Sequence, residues 1–187
     1  MPRAKQFTFA PFADLKDSRH GGGIRLGRRK TMRPISIRQA MHITMRATPA
    51  QGEWSMLRVK FEKKIKLLAL KLARENHVQI HQYANSGNHL HLLVHAKTRE
   101  GFQRFLRVFT GLVARLVMGA KKGVRVLKAG QRFWDGLAFS RIVSGGREFV
   151  EVKYYIIRNE LEALGILFYS DRKQRPKPPT PRRSDTK

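Results

Sequence analysis

The chain has 187 residues, 41% of them hydrophobic, which is enough to bury the core of one ordinary domain. It has no cysteine, which excludes disulfides, thiolate metal sites and cysteine nucleophiles, and no apolar run approaches the roughly 20 residues of a membrane span. Lys and Arg total 39 against 13 acids, a formal charge of +26, so the chain selects a polyanionic partner, with nucleic acid ahead of an anionic membrane surface.

Residues 1–33 read as a basic N-terminal arm, Gly-rich over SRHGGGIRLGRRKTMRP at 18–34, and the start lacks the apolar core of a signal peptide. The folded domain is expected over 34–170. Met41, Ile43 and Met45 alternate with His42, Thr44 and Arg46, which predicts a first strand. Leu57, Phe61, Ile65, Leu68 and Leu72 recur at helical spacing, with Arg58, Lys60, Lys63, Lys64 and Lys66 on the other face. Val78–Tyr83 predicts a second strand, 85–88 a tight turn, and His89–His95 its hairpin partner.

Thr98 caps a second predicted helix carrying Phe102, Phe105, Leu106, Phe109, Val113 and Leu116, with Gly119 or Gly123 at its end. Arg132–Val143 predicts one aromatic strand or a ragged pair. A last helix is expected over Arg147–Leu164, with Gly165 as its C-terminal cap. Residues 171–187 are a basic, Pro-rich tail expected to be disordered. The order strand, helix, hairpin, helix, strand, helix predicts an α+β fold, a central antiparallel sheet with helices packed on its faces.

Two constellations carry chemistry. In NHLHLLVHA at 88–96, Leu90, Leu92 and Val94 point into the core, while His89, His91 and His95 share the other face of the strand. Two imidazoles two residues apart on a strand can share one divalent ion, or they can be ordinary polar residues facing solvent. In the last helix, Val150, Tyr154, Ile157, Leu161 and Leu164 form an apolar stripe. Tyr155 and Asn159, four apart, lie about 100° round from it, at the margin of the expected buried face.

A His-hydrophobic-His strand followed downstream by Tyr-x-x-x-Asn on a helix resembles the HUH single-strand endonucleases. More narrowly it is similar to the IS200-like and REP-associated single-tyrosine transposases. NHLHLLV at 88–94, RFW at 132–134 and YIIRNELEALG at 155–165 carry the resemblance. Glu160 stands where members commonly have proline, and the tyrosine is doubled.

The resemblance implies a ferredoxin-like, RRM-like sandwich. It implies a Mg2+ or Mn2+ ion on His89, His91 and Asn159, and attack by Tyr155 on single-stranded or hairpin DNA to give a 5′-phosphotyrosine and a free 3′-OH. Arg158 is a candidate for easing ionisation of the phenol. The expected DNA contacts are Arg46, Arg132, Trp134, Arg141 and Arg158, with Phe133 and Phe139 as further base-stacking candidates and His42, His81 and Tyr83 as possible cleft residues. A monomer or homodimer acting on the bacterial nucleoid in the cytoplasm is implied, with no membrane role. Two other readings compete: a replication or relaxation initiator with the same chemistry, and a non-enzymatic RNA- or DNA-binding protein in which the histidines are incidental.

Overall fold

The computed structural model describes residues 33–119 and 132–168, together with the paired strand residues His20 and Gly21. The tail expected at 171–187 and most of the arm at 1–33 lie outside the described residues, as does the second helix stop, Gly123. Among the described residues, eight strands and α-helices follow in order: β1 (His20–Gly21), β2 (Met41–Arg46), α1 (Val59–Glu75), β3 (Val78–Asn85), β4 (His89–Ala96), α2 (Arg99–Met118), β5 (Phe139–Ile142) and α3 (Gly145–Ala163). The sheet is antiparallel in the order β1-β5-β2-β4-β3. The α+β architecture expected from the sequence is the one observed.

Alternation sorts the sheet into two faces. Met41, Ile43 and Met45 of β2 and Leu90, Leu92 and Val94 of β4 form one core with α1 and α2, where Phe102, Phe105 and Phe109 are fully buried. Burial of each such ring is worth about 2–3 kcal/mol. On the opposite face Ala84, Leu93 and Val143 meet Val152 and Ile156 of α3 in a smaller core. The imidazoles of β4 are therefore on the α3 side.

Local chemistry fixes the ends of the elements. Thr98 caps α2 by accepting from the Gly101 N–H at 3.0 Å. Gly119 closes the helix in the left-handed region with φ 63°. At the end of α3, Gly165 has φ 71°; its N–H donates to the Glu162 carbonyl and that of Ile166 to the Leu161 carbonyl, the double bond pattern of a glycine stop. Gly87, with φ 82°, turns the β3–β4 hairpin, and Asn85 holds the turn by accepting from the Gly87 N–H and donating to the Met56 carbonyl.

Three expectations are corrected. First, 132–138 is not strand. The Asp135 carboxylate accepts from the Thr48 N–H and hydroxyl at 2.7 and 2.8 Å, and its N–H donates to the Arg46 carbonyl, so this segment folds back over the end of β2. Only Phe139–Ile142 joins the sheet. Second, the register of β3 shifts between Ile80 and Gln82. The extra residue sends His81 and Tyr83 to opposite faces, so Tyr83 is buried in the α1/α2 core while His81 meets the Phe149 ring. Third, α3 buries Val152 and Ile156 rather than the stripe through Tyr154: Val150, Tyr154 and Leu164 are 48%, 68% and 50% exposed.

Candidate active site

The hairpin turn carries Asn88 into position beside His89, whose Nδ1 lies 2.6 Å from the Asn88 Oδ1. Two residues on, the His91 ring is 3% exposed, and its Nδ1 lies 3.2 Å from both the Thr44 hydroxyl and the His42 Nε2. Register makes this contact: Thr44 is paired with His91, and His42 lies two residues along β2 on the same face. An amide oxygen can only accept, so His89 carries its proton on Nδ1 and keeps the Nε2 lone pair available. Burial, then the Arg46 guanidinium in the paired position, lowers the His89 pKa and keeps the ring neutral. Burial, then Arg141, pushes His42 down to about 3, so it is neutral as well.

The His89 and His91 rings stand edge to face with centroids 4.8 Å apart. Tyr155 of α3 meets His91 and His42 edge-on, its ring centroid 5.6 Å from His91 and 5.8 Å from His42. The sheet-borne imidazoles and the helix-borne tyrosine expected from the sequence are thus in one place. Tyr155 faces them because it adjoins the buried Val152–Ile156 stripe, whereas Tyr154 is turned to solvent. One turn on, the Asn159 amide donates to the Tyr155 carbonyl at 2.6 Å, which leaves Oδ1 as its remaining polar atom for a ligand. That contact is to the helix backbone, not to an imidazole. The third histidine of the strand, His95, turns to the Ile37 carbonyl at 3.0 Å.

Among the described residues no three His, Cys, Asp or Glu side chains converge as a metal cage. The donor set suits a divalent ion that draws its other ligands from water and substrate: two imidazoles with their Nδ1 atoms engaged, and an amide oxygen one helical turn from the tyrosine.

The expected DNA contacts divide. Arg46 is exposed at the end of β2 and pairs with Asp135 at 3.6 Å, and Arg132 is exposed. Arg141 is ion-paired with Glu148 at 2.7 Å and Arg158 with Glu162 at 2.7 Å, so each guanidinium is already committed to a carboxylate. Trp134 lies on the α2 side of the sheet, away from the histidines, with its indole N–H donating to the Thr110 carbonyl at 2.9 Å. Phe133 is buried in the core. Thr44, Asn88 and Asp135 were not singled out by the sequence reading. The first two had a signal, since Thr44 alternates with the core residues of β2 and Asn88 adjoins the first histidine.

A family model described as "Transposase IS200 like" matches residues 40–159, from just before β2 to Asn159. The chain belongs to the IS200-like transposase family, whose members are enzymes of DNA transposition. Among solved structures the chain is similar to a REP-associated tyrosine transposase bound to a REP hairpin, at 12% identity with a TM-score of 0.45, over 66% of this chain and 67% of that one. No curated protein shows a significant match. No described helix is long and apolar enough to cross a membrane.

Proposed function

We propose that this transposase cleaves and rejoins single-stranded or hairpin DNA through Tyr155, with Mg2+ or Mn2+ held by His89, His91 and Asn159. The observation that supports the reading is the Tyr155 ring lying 5.6 Å from His91, a helix-borne phenol beside one of the two sheet-borne imidazoles of the proposed metal site. When bound, the ion supplies positive charge to a scissile phosphate and to the developing charge of the reaction.

The chain's own residues do the rest. Tyr155 gives up its phenolic proton and attacks phosphorus; a new P–O bond forms to its phenolic oxygen, the P–O3′ bond breaks, and the released 3′-oxygen takes up a proton, so no net proton is gained or lost. The phosphodiester bond energy is retained in the 5′-phosphotyrosine, so a later 3′-OH rejoins strands by the reverse attack without a nucleotide cofactor. Asn88 holds the His89 ring, and Thr44 and His42 hold that of His91, so both imidazoles are oriented before substrate arrives. The charge of +26 draws the polyanion in.

The test is nicking of labelled single-stranded oligonucleotides with Mn2+, with and without chelator. His89→Ala and His91→Ala should each lower cleavage at least about a hundredfold while retaining most DNA binding, and His91→Ala, which empties a buried position, should also lower the melting temperature. His95→Ala should cleave like the parent protein. Loss of cleavage in His95→Ala alone would mean that the ligand pair is misassigned.

A further inference from the structure

On the sheet face opposite the histidines lies a cleft of about 840 Å3 between α2, the start of the domain and the 134–138 segment. Its floor is apolar, formed by Met45, Phe102 and Leu106, and Trp134 lines its wall. Three arginines line it as well, Arg33, Arg99 and Arg107, and among the described residues its lining contains no carboxylate. The Nη1 of Arg33 is buried there without a hydrogen-bond partner. A buried guanidinium nitrogen left unsatisfied in an apolar setting is costly unless an anion completes it.

The indole is fixed in place. Its N–H is held by the Thr110 carbonyl, and Phe133 meets it edge-on with centroids 4.9 Å apart. A flat apolar surface beside three cations fits an aromatic ring that carries a phosphate.

The cleft is also close to the chemistry. Met45 in its floor adjoins Arg46, which is paired with His89 on the other face. Asp135 ties the Trp134 segment to that same end of β2 through Thr48 and Arg46. A strand leaving the imidazoles around the end of β2 therefore meets Arg46 and then the cleft, with only the thickness of the sheet between the two sites.

We infer that this cleft binds an unpaired nucleotide of the DNA strand that is cleaved, with its base against Trp134 and its phosphate held by Arg33, Arg99 and Arg107. The inference rests on the reading of the chain as acting on single-stranded DNA. The cleft sets where along the strand the scissile phosphate falls, by holding a nucleotide at a fixed distance from Tyr155.

Photo-crosslinking tests it. The full chain, with chelator present to prevent cleavage, is irradiated with a set of single-stranded oligonucleotides, each carrying one 5-iodouracil at a different position, and the crosslinked peptide is identified by mass spectrometry. Crosslinking to Trp134 is expected at one or two adjacent positions only. It should fall about tenfold in the Arg99→Gln/Arg107→Gln protein, corresponding to roughly 1.4 kcal/mol. A Lys63→Gln/Lys64→Gln protein loses the same charge from the exposed face of α1, and it should keep the Trp134 crosslink. Crosslinks elsewhere at every position, or equal losses in the two double variants, would overturn the assignment. The Tyr155–DNA adduct is scored in parallel with Mn2+. An adduct without a Trp134 crosslink sinks the cleft alone, and a Trp134 crosslink without any adduct sinks the cleavage reading alone.

Discussion

Asn88 is a single side chain on which the candidate metal site depends. Its Oδ1 accepts from the Nδ1 of His89 at 2.6 Å, which fixes both the tautomer and the ring orientation. Asn88→Ala frees that ring without touching a ligand atom. The expected result is a fall in Mn2+ affinity of about tenfold to a hundredfold, read by titration calorimetry, with the melting temperature little changed. Unchanged affinity would mean that His89 is not a ligand. Tyr83 shows the opposite case, a buried polar atom with no function to serve. Its hydroxyl is buried without a hydrogen-bond partner, and burial, then Glu62 and Glu160, raises its pKa above the usual tyrosine range. The unfolded chain ionises this phenol near pH 10, while the folded chain keeps its proton. Its contribution to stability is therefore full below about pH 10 and is lost as pH rises further. Tyr83→Phe should remove that alkaline dependence and raise stability at pH 7 by about 1 kcal/mol, measured by denaturant unfolding. A destabilised Phe variant with the same alkaline slope would contradict this account.

Elements were legible where one face alone is apolar. Strand β2 alternates strictly, β4 places leucines opposite histidines, and α2 carries its phenylalanines on one side between a Thr98 cap and a Gly119 stop. Helix α3 was not legible in the same way, because it has two apolar stripes. The stripe through Val150, Tyr154 and Leu164 is the longer in sequence, yet the sheet buries the one through Val152 and Ile156. Periodicity alone cannot choose between two stripes; contact with Ala84 and Leu93 does. The Tyr-x-x-x-Asn spacing still placed Tyr155 on the histidine side, although Tyr154 is exposed and not buried as expected. The bulge in β3 was invisible because an extra residue leaves no mark on composition. The fold-back at 132–138 depends on Asp135 reaching Thr48, a contact 87 positions apart that no local pattern announces.

For the whole molecule, charge and site make separate claims. The excess of +26 predicts that affinity for a single strand falls by about two or more orders of magnitude between roughly 50 and 200 mM salt, as condensed counterions cease to be a driving force. Fluorescence anisotropy with single-stranded, hairpin and blunt duplex DNA measures this, and equal affinity at both salts would remove the electrostatic argument. Salt dependence shows only that the chain binds a polyanion. Whether it also performs the chemistry turns on one oxygen atom, and covalent capture reads that most directly. Each tyrosine variant is incubated with labelled single-stranded DNA and Mn2+ and resolved on a denaturing gel. Tyr155, packed against His91, should form the adduct, so Tyr155→Phe should abolish it while binding persists. Tyr154 is 68% exposed on the outer face, so Tyr154→Phe should form the adduct normally, with stability within about 0.5 kcal/mol of the parent. An adduct that survives in Tyr155→Phe and disappears in Tyr154→Phe would contradict the account.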